Sequence, residues 1–404
     1  MTTPVLKAIS LFSGAGGDTE GLHAAGYTVV AYSENNAAAI ATHQARFPDS
    51  TLLKDPATGS TDIRKIPDSV FAEYTDQINT IFAGFPCQGF SHAGKKRSDD
   101  PRNELVYEFA RVVRIVKPRF IIGENVAGLL SRKGRAPEDP PTAPLRPVIS
   151  IISDLFAAAG YKLTYNVVAA TDVGVPQKRK RLIIVGYRST RFWPHLEWPT
   201  ASSVATIRSF LESSLEGAVP APSTAVAPDP RFWITTTETA PTGTPHPNLV
   251  RLAGGIRNLS SKELAAAPAG TPKATTEPGG LISFGTRSSS YHGEVVDPDA
   301  PSKTIICTYG LCPRLFVGLH NPTTNQYWIR CMLPRELAQV QGFPADYPWQ
   351  GDVKSQITQI GNAVPPPLAA YIGRALKSIR CRSQPQITAA TATDDDDNES
   401  ESEA

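Results

Sequence analysis

Residues 5–26 read Val5-Leu-Lys-Ala-Ile-Ser-Leu-Phe12, then Ser13-Gly-Ala-Gly-Gly17, then Asp18-Thr-Glu-Gly-Leu-His-Ala-Ala25 and Gly26. A short apolar run ends in a glycine-rich turn. A helix-like stretch follows and is stopped by a glycine. Further along, Tyr27 to Ser33 reads as a strand and Asn36 to Phe47 as a helix. Ile78 to Ala83 is a buried strand, followed by a loop to about Arg102. Asn103 to Val116 has helical spacing, with Leu105, Val106, Phe109, Val112, Val113 and Val116 on one side, and Pro118 breaks it. Phe120 to Gly123 is a strand ending at Glu124. Val148 to Ala159 reads as a helix, and Lys162 to Ala169 and Arg181 to Tyr187 read as strands. Strands alternating with helices predict a parallel α/β sheet covered on both faces.

The texture changes after Arg188. Up to about Gln326 the chain is rich in Pro, Thr, Ser and Gly with little periodicity, which predicts a separate, loop-rich domain. A short helix is expected at Leu333 to Val340 and regular structure again at Pro367 to Ile379, and order is expected to fade from Arg382. The 404 residues suit one large or two modest domains. Their five cysteines are scattered, with no Cys-x-x-Cys pair, so the expectation is a reducing compartment, no metal site and a soluble intracellular protein. No apolar run approaches the roughly 20 residues of a membrane span. Lys and Arg number 40 against 38 Asp and Glu, but seven of those acids crowd into Asp394 to Ala404. The remaining body has 40 bases against 31 acids, which suits a polyanionic partner. The acidic end reads as a disordered tail.

Glycines between a strand and a helix let a ligand approach the backbone at a helix N-terminus. The spacing is not the dinucleotide Gly-x-Gly-x-x-Gly. Glu34, twenty residues after Gly14, falls where nucleotide-binding α/β folds place an acid on ribose hydroxyls. Asp62 and Ile63 could lie near an adenine. The plainer reading is an ordinary turn and a solvated glutamate.

Three further stretches carry chemistry. In Gly84-Phe-Pro-Cys-Gln-Gly-Phe-Ser91, Cys87 stands at the carboxyl end of a parallel strand, where open α/β sheets bind ligands. The following loop holds Lys95, Lys96 and Arg97. In Gly123-Glu-Asn-Val126, Glu124 would face the same crevice, and partial burial would raise the pKa of a carboxyl there. In Gln177-Lys-Arg-Lys-Arg181, Arg179 and Arg181 suit bidentate recognition of a carbonyl or phosphate. Each has a bland alternative: a small buried cysteine, a capping glutamate, a solvated basic edge.

Taken in order, Phe12–Gly17, Gly84–Ser91, Glu124–Val126, Gln177–Arg181, Arg335-Glu336 with Gln341-Gly-Phe-Pro344, and Gln359-Ile-Gly-Asn-Ala-Val-Pro365 resemble the DNA (cytosine-5)-methyltransferase family, in its compact, restriction-modification form. The blocks span about residues 5 to 378. The resemblance implies an α/β fold with a Rossmann-like, S-adenosylmethionine-dependent methyltransferase sheet and a smaller loop-rich DNA-recognition domain. It implies transfer of a methyl group to carbon 5 of cytosine in duplex DNA. Cys87 would add to carbon 6 of a flipped-out base, Glu124 would meet ring nitrogen 3, and Arg181, supported by Arg179, would contact the carbonyl at position 2. Phe12, Gly14, Gly16, Glu34, Asp62, Ile63, Pro86, Leu105, Asn362 and Val364 would line the S-adenosylmethionine site. Gln88, Ser91, Lys95, Lys96, Arg97 and Thr304 would contact DNA.

The implied domains are 1–187 and 329–380 for catalysis, 188–328 for target recognition, and 381–404 as the tail. The implied partners are double-stranded DNA and a cognate restriction endonuclease, with the protein a monomer. Two departures stand out: Ser10 where many members carry Asp, and Gln339 where members often carry Arg. Methylation of transfer RNA is the competing activity on the same fold. The Gly84–Ser91 form and the long recognition region favour DNA.

Overall fold

The computed structural model describes residues 5–86, 105–140, 142–188, 193–194, 196–200, 205–216, 218–221, 248–250, 294–310, 315–321, 323–324, 326–379 and 381–382. Cys87, Gln88, Ser91, Lys95, Lys96 and Arg97 lie outside them, as do most of the expected recognition region and nearly all of the acidic tail.

The elements run β1 (Leu6–Leu11), α1 (Gly17–Ala24), β2 (Tyr27–Tyr32), α2 (Ala37–Arg46), β3 (Thr51–Leu52), α3 (Asp68–Ala72), β4 (Thr80–Ala83), α4 (Leu105–Val116) and β5 (Phe120–Val126). Next come β6 (Lys133–Gly134), β7 (Arg146–Pro147), α5 (Val148–Ala158), β8 (Tyr161–Ala169), β9 (Lys180–Arg188) and β10 (Trp193–Pro194). The last are β11 (Val219–Ala221), β12 (Asn248–Val250), β13 (Glu294–Val295), β14 (Leu315–Asn321), β15 (Gln326–Cys331), α6 (Pro334–Val340), α7 (Val353–Asn362), α8 (Pro366–Lys377) and β16 (Cys381–Arg382).

Two compact units result, one from residues 1–173, 180–200 and 363–404, the other from 174–179 and 201–362. The first is built on a seven-stranded sheet ordered β3-β2-β1-β4-β5-β9-β8. Strands β3 to β5 pair in parallel, whereas β9 runs antiparallel to both β5 and β8. The sheet is therefore mostly rather than wholly parallel. Alternation along the strands sorts side chains to two faces. Ile9, Ile81 and Ile121 join Val106, Phe109 and Val113 of α4 in one core. Ala8, Phe82 and Ile122 join Leu22 of α1 and Leu368 and Ile372 of α8 in the other. Helices α1 and α8 cross at glycines: a Cβ on Gly21 would stand 2.3 Å from the Pro366 carbonyl oxygen, and one on Gly373 would stand 2.8 Å from Ala25 Cβ. The C-terminal helix is thus an integral layer of the N-terminal sheet.

In the second unit, where a loop-rich domain is expected, the described residues include several short strands. Strands β11, β15, β14 and β12 form an antiparallel sheet, with β13 added in parallel to β14. Helices α3 and α7 were also not legible from periodicity. Among the described residues no helix is long and apolar enough to cross a membrane.

Candidate active site

In the first unit, the carboxyl ends of β1, β4 and β5 and the start of β9 bring the sequence motifs together. Beyond β1, Phe12 adopts φ 56°, a left-handed conformation uncommon outside glycine. Its backbone N–H donates to Ser33 Oγ at 3.1 Å. Gly14 (φ 56°) and Gly16 (φ 90°) complete the turn, and a Cβ on Gly14 would meet nothing within 4 Å. Glu34 fastens the turn to the end of β2. Its Oε2 accepts from Gly14 N at 2.8 Å, and its Oε1 accepts from Asn35 N and Asn36 N at 2.8 Å each.

Beyond β4, Gly84 is the hub. A Cβ there would stand 3.7 Å from Glu124 Oε2, 3.7 Å from Val364 Cγ2 and 3.9 Å from the Phe12 carbonyl oxygen. Four of the sequence-predicted regions therefore meet at one glycine. Glu124 lies two residues before the end of β5, and Arg181, the second residue of β9, pairs with Val126. Arg181 Nε lies 2.9 Å from Glu124 Oε1, with the two side chains 3% and 11% exposed. Asn125, unassigned in the sequence reading, donates from Nδ2 to the Phe85 carbonyl at 3.0 Å. It thereby grips the backbone just before Pro86 and Cys87; its only signal in the sequence was its place beside Glu124.

The remaining candidates sit as follows. Ile63 is buried in the core, and Leu105 packs against that core at the start of α4. Asp62 caps the 3-10 turn 63–65 and receives both Nε (3.0 Å) and Nη2 (2.7 Å) of Arg64, whose guanidinium lowers the Asp62 pKa. Arg111, another residue the sequence reading passed over, locks this turn to α4. Its Nη2 donates to the carbonyls of Ile63 (2.8 Å) and Ile66 (3.3 Å), its Nε donates to Glu108, and its guanidinium lies over the Phe71 ring.

In the second unit, Arg179 is 2% exposed, and its Nη1 and Nη2 donate to the carbonyls of Ile305 and Gly361 at 3.1 Å each. Thr304 Oγ1 donates to the Lys178 carbonyl at 3.0 Å. Asn362 is exposed at the end of α7. Among the described residues no group of His, Cys, Asp or Glu is arranged to hold a metal ion.

Comparison with known proteins gives the family. Residues 6–378 match the family profile of the C-5 cytosine-specific DNA methylases. The chain is 31% identical over 377 residues to the Type II methyltransferase M.PspPI of a Psychrobacter species, covering 91% of this chain and 78% of that one. It is 29% identical to M.NgoPII of Neisseria gonorrhoeae, covering 92% and 95%. Among solved structures, a Spodoptera frugiperda DNMT2 variant superposes with a TM-score of 0.59 at 16% identity, covering 92% of this chain and 98% of that one. The Entamoeba histolytica methyltransferase EhMeth superposes with 0.52 at 18%, covering 93% and 98%. At those identities the structures speak for the fold alone. The profile and the Type II relatives go further: the chain belongs to the C-5 cytosine-specific DNA methylase family and is a DNA cytosine methyltransferase.

Proposed function

We propose that this enzyme methylates carbon 5 of a cytosine flipped out of duplex DNA, through covalent addition of Cys87. The observation that carries the reading is the Glu124–Arg181 pair at Gly84, on the strand exit that leads to Cys87. Carbon 5 of cytosine is a poor nucleophile. Addition of the Cys87 thiolate to carbon 6 makes the ring electron-rich at carbon 5. Glu124 meets ring nitrogen 3 and holds a proton there, offsetting the charge that the addition delivers. Arg181 orients Glu124 and donates to the carbonyl at position 2. Once carbon 5 carries the methyl group, a base removes its hydrogen, the ring double bond re-forms and the Cys87 thiolate leaves. Both carbons are hidden in a base stack, so the base must leave the duplex, at a cost of about a few kcal/mol.

The residues present fit S-adenosylmethionine. An ionised carboxylate offers about four acceptor positions, so Glu34 can take a ribose hydroxyl beside its three backbone partners. The open space above Gly14 admits close approach. Phe12, Gly14, Gly16, Asp62, Ile63, Pro86, Leu105, Asn362 and Val364 complete our proposed site. When bound, S-adenosylmethionine supplies a methyl group made electrophilic by its sulfonium.

Arg179 supports this chemistry from the 174–179 segment by holding the backbone at Gly361, next to Asn362. We assign residues 188–328 to target recognition, residues 1–187 and 329–380 to catalysis, and 381–404 to a tail. Gln88, Ser91, Lys95, Lys96, Arg97 and Thr304 are proposed DNA contacts. The Type II relatives favour a cognate endonuclease as a functional partner, and we propose a monomer.

The test is transfer of labelled methyl from S-adenosylmethionine to mixed-sequence duplex DNA, with Cys87→Ser and with transfer RNA as parallel substrate. Label recovered as 5-methylcytosine in DNA, and lost in the variant, is expected. Label in RNA alone, or full activity of Cys87→Ser, would overturn the proposal.

A further inference from the structure

Beneath the Phe12–Gly17 turn the structure buries a carboxylate that the mechanism leaves without a task. Asp18 is the second residue of α1 and is 3% exposed. From β1, the Ser10 hydroxyl donates to Oδ2. Ser13 Oγ donates to Oδ1 at 3.1 Å, and the Ser13 carbonyl accepts from Gly16 N at 2.9 Å, so one serine joins the carboxylate to the turn. On the α2 side, His43 Nε2 lies 3.2 Å from Thr19 Oγ1, and burial pushes its pKa down to about 3, which leaves it uncharged at neutral pH. Tyr32 of β2 stacks on that imidazole, and burial pushes its phenol up to about 12. Glu20 and Arg46, the next charged groups on α1 and α2, pair with each other. Among the described residues, Asp18 therefore faces hydroxyls and backbone N–H groups and no cation. Burial pushes its carboxyl up to about 6, against the pull of those hydrogen bonds.

A helix N-terminus carries unsatisfied N–H groups and the positive end of the helix dipole. The N-cap of α1 is Gly16, which offers no side-chain cap. We propose that the carboxylate of Asp18 offsets this positive end and so tunes the site toward a cationic ligand: S-adenosylmethionine, a sulfonium, over S-adenosylhomocysteine, the neutral thioether left after transfer. The inference rests on the donor site proposed above. The two ligands share their adenosine, amino and carboxylate groups and differ by one methyl and one unit charge. A fixed negative charge in a poorly solvated layer discriminates between them, and a neutral Asp18 does not. The arrangement also has a cost. A carboxyl whose pKa is raised on folding binds more protons folded than unfolded between about pH 4 and 6, so its contribution to stability falls as pH rises through that window. Keeping the charge at neutral pH is therefore a sacrifice of stability, as expected at a functional position.

The experiment is calorimetric binding of both ligands to the full chain from pH 5 to 8.5, with Asp18→Asn and Ser13→Ala as variants. In the parent, preference for S-adenosylmethionine is expected to grow about fivefold to tenfold as pH rises through about 6. S-adenosylmethionine should release protons on binding near that pH, and S-adenosylhomocysteine should not. Asp18→Asn should show a pH-independent preference and melt at or above the parent at pH 8. Ser13→Ala keeps the charge and removes one donor, so its inflection should move to higher pH. A flat preference in the parent, a slope that persists in Asp18→Asn, or an unmoved inflection in Ser13→Ala would overturn the inference while leaving the donor site standing. Failure of the parent to bind either ligand at any pH would instead overturn the donor site itself.

Discussion

Each compact unit contains a glutamate–arginine pair, and the two are built to different ends. In the second unit, Arg330 and Glu336 are both 0% exposed and 2.6 Å apart. Arg330 also donates to the carbonyls of Ser214, Glu212 and Cys331, and Glu336 accepts from the backbone N–H groups of Glu212 and Leu333. In the first unit, Arg181 holds Glu124 and, besides it, the carbonyl of its own neighbour Lys180. Glu124 keeps some exposure and faces the open side of a glycine. A pair saturated by backbone ties distant segments of the chain together. A pair left partly accessible where β5 ends and β9 begins can be reached by a ligand. Exposure, more than the pair itself, distinguishes structure from chemistry.

Two substitutions probe that contrast directly. Glu124→Gln should lower kcat by about 10²- to 10⁴-fold, the usual range for losing a positioned proton-transfer group, and leave the melting temperature close to the parent's. Initial rates and a thermal scan on the same preparation decide it; a large stability loss with activity preserved per folded molecule would erase the distinction between the pairs. Arg330→Met leaves Glu336 as a buried unpaired charge, which costs about 3–5 kcal/mol. Urea unfolding followed by tryptophan fluorescence should show it. Combining Arg330→Met with Glu336→Leu should recover part of that loss, because no unpaired charge then remains.

Arg111 tests whether the comparison extends to a third arginine. It ties two backbone carbonyls of the 63–66 segment to α4, as a structural arginine would, yet Ile63 and Leu105 on either side are proposed walls of the donor site. Arg111→Met should therefore weaken S-adenosylmethionine binding by about tenfold, roughly 1.4 kcal/mol, with kcat at saturating donor little changed. Arg111→Lys, which cannot reach both carbonyls at once, should fall in between. A variant in which kcat drops and KM for the donor stays fixed would place Arg111 with Arg181 instead.

The sequence was most informative where short-range chemistry decides structure. The strand–glycine turn–helix at 5–26 is visible because apolar run, glycines and Gly26 follow one another. The shared crevice of the Gly84–Ser91 and Glu124 motifs is legible because both end strands, whereas Gly84 as the meeting point emerges only from the packing. Strand direction was not legible: nothing local in Lys180–Arg188 says that it runs against β5, since direction is set by the route of the chain in space. The β14–β15 hairpin was hidden by its Pro-, Thr- and Ser-rich surroundings. Arg111, Asn125 and Asp18 were passed over for a related reason. Each acts through partners distant in the chain or through burial, and neither is written in spacing. The Ser10 departure becomes intelligible only with the Asp18 carboxylate placed against its hydroxyl. In the same way, the α6 block carrying Gln339 is braced by Arg330 and Glu336 and by Arg335 on Glu212 and Glu216.

The smallest effect is also the most specific to the first unit. His43 is 0% exposed, stacked on Tyr32 and bonded through Nε2 to Thr19, with its pKa pushed down to about 3, chiefly by burial. The folded protein thus binds fewer protons at this site than the unfolded chain between about pH 6.5 and 3. Stability contributed by the neutral imidazole is present above pH 6.5 and drains away as pH falls through that window. Asp18, one helix away, has the opposite slope between about pH 6 and 4, because its raised pKa makes the folded state the better proton acceptor there. The two offset one another on mild acidification, and the parent should lose little stability between pH 6.5 and 5.5. Asp18→Asn removes the compensating member and should make stability fall more steeply with acid over that interval. Replacing His43 by Gln in the same background should flatten the curve again. Melting curves at half-unit pH steps would resolve the three slopes, and an Asp18→Asn profile parallel to the parent's would show that the two sites do not balance each other.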